Sequence, residues 1–176
     1  QIKVVKEIRS HFHEEIASFY NIFSPISYLK RWFRTDQSRG DQVIADFIKE
    51  DPESLAHVLD VIAGDIAILT RRLIQEAGIE GIYFSTQQVQ DERVTQEEYR
   101  KIIEPSNIAV LEAANEAGGI NILHICGFEG ASNEVELFKD YPAQVINWAT
   151  HHEGVSLAEG RKLFGNRAVL GGFVNG

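Results

Sequence analysis

The 176 residues include 26 acidic and 17 basic side chains, for a formal net charge of −9, and 44% of the residues are hydrophobic. That length supports one domain with a sizeable core, and the composition is that of a soluble globular protein. The acidic balance and the lack of any basic cluster argue against a nucleic-acid-binding face. No apolar run approaches the roughly 20 residues that span a bilayer, and no signal peptide is visible, so no membrane is expected. The single cysteine excludes a disulfide framework within the chain, and a reducing, cytoplasmic setting is the expectation.

In chain order, Ile2, Val5, Ile8, Phe12, Ile16 and Phe19 recur three or four apart, which predicts one apolar helix face up to about Phe19. Tyr20 to Phe23 follows as a short strand, ended by Ser24-Pro25 because proline donates no ladder bond and biases its predecessor away from helix. Tyr28, Leu29, Trp32 and Phe33 suggest a helical turn or two. Ser38-Arg-Gly40 then reads as a loop, and Val43, Ile44, Phe47 and Ile48 as a short amphipathic helix. Asp51-Pro52-Glu53 is a helix start, with a capping carboxylate, proline at the first position and an acid in the first turn. Leu55, Val58, Leu59, Ile62, Ile66, Leu69 and Leu73 carry its buried stripe to a stop at Gly78.

Gly81 to Ser85 reads as the next strand and Thr86 to Val94 as a polar loop. Thr95 and Glu98 form a capping box, and Pro105 should kink or split the helix that it opens near Ile103. The helix resumes to Ala117, Gly118-Gly119 ends it, and Ile120 to Cys126 is a strand. Asn133 and Glu136 predict a capped short helix through Phe138. Gln144 to Trp148 is a strand, Ser156 and Glu159 open a helix that ends at Gly165, and Arg167 to Phe173 is the last strand. Trp32, Phe33, Tyr83 and Trp148 read as core aromatics, and Asp51, Thr95, Asn133 and Ser156 as helix caps.

Helix and strand alternate about five times over short connections, with near-continuous apolar strands, as expected of an α/β protein with parallel strands covered on both faces. Neither G-x-G-x-x-G nor G-x-x-x-x-G-K occurs, so nothing supports a nucleotide-binding open sheet over a (β/α)8 TIM barrel. In a barrel, polar residues gather where strands end. Ser24, Ser85 with Gln87, His124 with Cys126, Asn147 with Thr150 and His151, and Asn175 all fall there. Strand alternation puts His124 and Cys126 on one face, two residues apart and just before the Gly127 turn. Imidazole and thiol so placed are either half of a zinc site or a core histidine and a core cysteine at a tight turn.

The stretches Val94 to Pro105, Glu116 to Gly119 and Ile122-Leu-His-Ile-Cys-Gly127 resemble the uroporphyrinogen decarboxylase superfamily. Within it they resemble most the zinc-containing, cobamide-dependent methyltransferase-like branch. Asp51-Pro-Glu with its helix leading to Gly81–Ser85, Val145 to Ala149 and Leu163 to Gly172 fit the same pattern. The resemblance covers nearly the whole chain and implies a single partial (β/α)8 barrel domain over residues 1–176, with about five βα units, roughly the third to seventh strands. Gln1 as first residue, the absence of methionine and an end at Asn175-Gly176 are read in the same sense, as an interior piece of a longer polypeptide, or else as a chain from which residues have dropped out or whose selenomethionines are omitted.

The resemblance implies zinc held by His124 and Cys126, with a later cysteine beyond Gly176 as third ligand; His151 or His152 is a substitute, though Thr-His-His-Glu reads first as a solvated turn. Zinc there would present a thiol substrate as thiolate to an activated methyl group carried by a corrinoid partner protein. For the decarboxylase branch, Ser85 matches a serine that contacts a substrate carboxylate, and Tyr28, with Trp32 as an alternative, is nearest to a tyrosine used there. Ser24, Gln87 and Asn147 are candidate substrate contacts at the strand ends. Asn147 stands where the family usually carries aspartate, and Gly171 to Gly176 replaces a Gln-Gly-Asn-x-Asp-Pro pattern. No arginine cluster fit for a tetrapyrrole acid is visible at the strand ends. Methyl transfer to a zinc-bound thiol is therefore the preferred chemistry, ahead of porphyrinogen decarboxylation and of a catalytically silent homologue that binds a small molecule or a corrinoid protein.

Overall fold

The computed structural model describes residues 1–12, 15–33, 39–127, 130–165 and 167–171. Its centre is a five-stranded sheet of β1 (Phe19–Phe23), β2 (Gly81–Thr86), β3 (Ile122–Ile125), β4 (Val145–Trp148) and β5 (Ala168–Gly171). Every strand pairs in parallel with the next one in sequence, in the order β1-β2-β3-β4-β5. Sequential parallel order, helices between strands and no reversal of direction are the arrangement of part of a (β/α)8 barrel rather than of a doubly wound sheet.

The two faces of this sheet differ. Ile22, Ile82, Phe84, Leu123, Ile125, Ile146 and Trp148 point to the helices and are all 1% exposed or less. Each such side chain contributes about 1.5–3 kcal/mol by leaving water. The alternate residues face the other way, the side that is the lumen in a barrel: Tyr83, Ser85, His124, Asn147 and Leu170, with Phe19, Asn21 and Phe23 on β1. That face is partly covered in the middle and open at its flanks, where Leu170 and Phe19 are exposed. Coverage of both faces of every strand, expected from the apolar runs, is thus not found at the edge strands.

Local chemistry explains most element boundaries. The Asp51 carboxylate accepts from the Ser54 amide (3.1 Å), Pro52 opens α4 (Pro52–Ala77), and Gly78 ends it with φ of 72°, a conformation glycine adopts without a Cβ clash. Thr95 caps α5 (Gln96–Glu98) and Ser156 caps α8 (Leu157–Leu163), each in a reciprocal box with the glutamate three residues on. Between α5 and α6 (Glu104–Glu116), residues Tyr99–Ile103 are π-helical. Pro105 has no amide hydrogen to continue the ladder, and the Glu104 amide reaches five residues back to the Tyr99 carbonyl. The helix is split where the proline predicts.

Other expectations are corrected. The first helix, α1, is only Ile2–Ser10, and Phe19 belongs to β1; Ile8, Phe12 and Ile16 are about half exposed, so the apolar period did not signify one buried face. Arg39 and Gly40, read as loop, open the helix α3 (Arg39–Glu50). Gly40 is where α3 crosses α2 (Pro25–Phe33): a Cβ there would lie 2.7 Å from the Lys30 carbonyl oxygen. Trp32 (69%) and Phe33 (39%) are exposed rather than core, as is Val58 on α4. Asn133 does not cap the 3-10 turn Val135–Phe138; its side chain is committed elsewhere. Ser38, Phe173 and Asn175 lie outside the described residues. No helix among the described residues is long and apolar enough to cross a membrane.

Candidate functional site

Strand register assembles the site. Phe23, Ser85, His124, Asn147 and Leu170 are successive partners across the five strands, so one row of the lumen face reads aromatic, hydroxyl, imidazole, amide, aliphatic. Tyr83, two residues before Ser85, shares that face and stacks on the His124 ring at 5.1 Å between centroids.

Hydrogen bonds fix the state of the imidazole. The Asn147 Nδ2 donates to the Leu170 carbonyl oxygen (2.7 Å), and a carbonyl can only accept, so the amide orientation is set. Asn147 Oδ1 then accepts from the Tyr83 hydroxyl (2.6 Å) and from His124 Nδ1 (2.5 Å). His124 is therefore protonated on Nδ1, and Nε2 carries a lone pair with no partner among the described residues. Burial lowers the His124 pKa, opposed by the Asn147 bond. The imidazole is neutral around pH 7.

Cys126 lies just past β3, its amide donating to the Thr86 carbonyl (2.8 Å). Burial, then the Glu153 charge, push its thiol pKa up, with Lys30 acting the other way. Burial and then the Cys126 charge also raise the Tyr83 hydroxyl pKa. Glu153 ends the short helix α7 (Thr150–Glu153), and its carboxylate presses on the bare Cα of Gly127, where a Cβ would meet Oε1 at 1.9 Å. Burial raises the Glu153 pKa, held back by two bonds from Asn133, whose Nδ2 donates to Oε1 at 2.8 Å. Asn133 Oδ1 meanwhile accepts from the Gln88 amide (2.7 Å). One asparagine thus joins the chain after β2 and β3 to the helix after β4.

On the β1 side, Ser24 is fully buried, with its amide on the Ser85 carbonyl (2.8 Å) and its hydroxyl 2.8 Å from that of Ser27. Tyr28 is half-buried and meets the Phe23 ring edge-on at 5.8 Å. Lys30 ion-pairs with Asp41 at 2.5 Å and donates to Gln87 Oε1 (3.3 Å), while Asp41 accepts from the Gln90 amide (2.7 Å). The Ser85 hydroxyl makes no hydrogen bond among the described residues. The structure thus brings Ser85, His124, Cys126 and Asn147 to one mouth, with Ser24 and Gln87 at its β1–β2 rim. His151 and His152 lie on α7 with their rings against each other.

Tyr83, Lys30, Asp41, Asn133 and Glu153 are absent from the sequence-derived site. Tyr83 was detectable in principle, since alternation puts it in phase with Ser85. Lys30 follows Ile26 by four residues, a lysine on a buried helical stripe. Glu153 carried no such signal.

As a zinc site the residues fit in kind. A neutral imidazole held through Nδ1 to an oxygen leaves Nε2 available as metal-binding histidines do, and the next-but-one residue carries a thiol. They do not fit in number: no group of three His, Cys, Asp or Glu side chains that could hold a metal exists among the described residues.

Sequential parallel strands with a polar row at their carboxyl ends are part of a (β/α)8 barrel, seen at the face where such folds carry their sites. The family model for "Uroporphyrinogen decarboxylase (URO-D)" matches residues 1–175, and the chain belongs to that family. Among solved structures it is similar to a methyltransferase from Methanosarcina mazei, with a TM-score of 0.71 and 15% identity, over 96% of this chain and 46% of the other. The chain spans less than half the length of that protein, and identity this low is a likeness of fold. None of the curated proteins matches the sequence.

Proposed function

We propose that the chain carries part of the active site of a URO-D-family methyltransferase, with His124 and Cys126 as two ligands of a zinc ion and a thiol as methyl acceptor. The observation that supports this most is the tautomer-locked His124, whose Nε2 has no partner among the described residues, two residues before Cys126 in the chain. A third ligand is then needed from outside the described residues, three being the usual minimum for a catalytic site. Zinc bound here supplies Lewis acidity, which turns a thiol into a thiolate near neutral pH.

The chain's own residues do the rest. His124 keeps a neutral donor atom aimed from the strand end, and Asn147 and Tyr83 hold its ring. Glu153, pinned by Asn133, keeps the turn after Cys126 closed. Ser85 offers a hydroxyl to the substrate. Gln87 shapes the rim above the buried Ser24, and Tyr28 flanks it. The methyl donor in this reading is a corrinoid carried by a partner protein that docks at the mouth. Metal analysis of the intact protein should find about one zinc per chain. Zinc absent from the purified protein, or undiminished in the double variant His124→Ala/Cys126→Ala, would rule the proposal out.

The Ser85 hydroxyl, without a hydrogen bond among the described residues, favours a second reading, decarboxylation of a porphyrinogen or similar acid, with Ser85 on a substrate carboxylate. Turnover of a porphyrinogen that falls in Ser85→Ala and survives His124→Ala would establish that chemistry in place of methyl transfer.

A further inference from the structure

The valences of Asn147 are nearly used up within the fold. Both lone-pair directions of Oδ1 are occupied, by His124 Nδ1 and the Tyr83 hydroxyl, and Nδ2 is bonded to the Leu170 carbonyl. The residue is 8% exposed. One amide therefore links the main chain of β5, the imidazole on β3 and the phenol on β2, across its own strand. We infer that Asn147 is a positioning residue, braced by Tyr83, that sets the tautomer and plane of His124 rather than touching substrate. This rests on the proposed role of His124 as a ligand, and it assigns Tyr83 a task in the site.

The chemistry is one-directional. A free neutral imidazole prefers its proton on Nε2, which would turn the nitrogen left over by Asn147 into a donor and abolish it as a ligand. An acceptor fixed at Nδ1 reverses that preference. The acceptor must itself be fixed, because an amide that flips offers NH2 instead of oxygen. The Leu170 carbonyl prevents that flip by demanding a donor, and the Tyr83 hydroxyl donates to the same oxygen that accepts from His124. The Tyr83 ring, tilted only 29° from the imidazole, restricts the rotation that would carry Nδ1 away from Asn147. Outer-shell partners of this type typically change metal affinity 10–100-fold when removed.

The test uses the intact protein with 15N-labelled histidine, stripped of metal, and two-bond proton–nitrogen correlation spectra that distinguish the tautomers. Wild type should show His124 protonated on Nδ1. Asn147→Leu, similar in size but without polar atoms, should move the proton mainly to Nε2. Asn147→Asp, which keeps an acceptor, should restore Nδ1 protonation. In competition with a chelator, zinc alone should bind Asn147→Leu about 10–100-fold more weakly than wild type. Tyr83→Phe, which keeps the stacked ring, should give a mixture of tautomers and an intermediate loss. A wild-type spectrum with the proton on Nε2 overturns the inference outright, even if Asn147→Leu fails to fold. Nδ1 protonation that survives in Asn147→Leu overturns it as well, and Tyr83→Phe indistinguishable from wild type removes Tyr83 from the device. An Nδ1-protonated His124 in a protein that binds no zinc would sink the methyl-transfer reading and leave this inference standing.

Discussion

Lys30 and Asp41 form an ion pair whose side chains are only 10% and 7% exposed, and this decides what its loss should cost. Exposed pairs contribute about 0–1 kcal/mol because water screens them and long side chains lose entropy. Breaking a buried pair by removing one partner costs about 3–5 kcal/mol, since the remaining charge is stranded. Lys30→Met preserves most of the stem's packing and removes only the ammonium. It strands a carboxylate that retains the Gln90 amide (2.7 Å) as a donor, which places the expected loss near the lower end, about 3 kcal/mol. Asp41→Asn keeps an acceptor for Gln90 and should cost less, because the Lys30 ammonium retains Gln87 Oε1. The double variant should recover part of the loss, with a coupling of about 1–3 kcal/mol between the two sites. Urea unfolding of the intact protein reads these values from the midpoint at constant slope. A loss under about 1 kcal/mol in Lys30→Met would refute the reasoning, because the pair would then be behaving as a solvated one.

Gly160 packs against Trp148, and a Cβ there would lie 2.3 Å from the indole ring. Gly160→Ala should destabilise by about 1–3 kcal/mol through overpacking and shift the Trp148 near-ultraviolet signal; an unchanged spectrum and midpoint would count against the packing described. Burial raises the Tyr99 pKa to about 12 and carries Tyr141 well above its ordinary value, so folding favours both phenols neutral. Their contribution is complete below about pH 10, where unfolded tyrosine ionises, and is lost as pH rises toward 12, at about 1.4 kcal/mol per pH unit for each residue. Urea midpoints at pH 9 and 11 should converge partly in Tyr99→Phe, and equal slopes in the two proteins would contradict the assignment.

The architecture was legible wherever the causes were local. Asp51, Thr95 and Ser156 cap helices because a short side chain meets an amide three residues on, and Pro105 breaks one by lacking a hydrogen; both need only neighbours in sequence. Asn133 carries the same letters and does something else, because Glu153 and Gln88 reach it from 20 and 45 residues away. The apolar period through Phe12 and Ile16 misled since it ran across the end of α1 into a segment leading to β1. At the site, His124 and Cys126 were readable as a motif, and Ser85 by its family match. That Tyr83 and Asn147 converge on His124 was not readable, because it depends on strand register and on rotamers that pairing alone determines.

The π-helical turn at Tyr99–Ile103 sets the phase of everything that follows it. In an ordinary helix each residue advances about 100° around the axis, so one residue held outside that count rotates the preceding turn relative to α6 by about the same angle. Tyr99 and Asn107, eight positions apart, meet at 3.4 Å beneath the sheet with that offset in place. Excising a single residue from this segment would let the spiral close up evenly, swing the phenol off its buried partners and leave the Asn107–Tyr141 hydrogen bond (3.0 Å) without its third member. A deletion scan through this turn should accordingly be harsher than alanine replacement at the same positions.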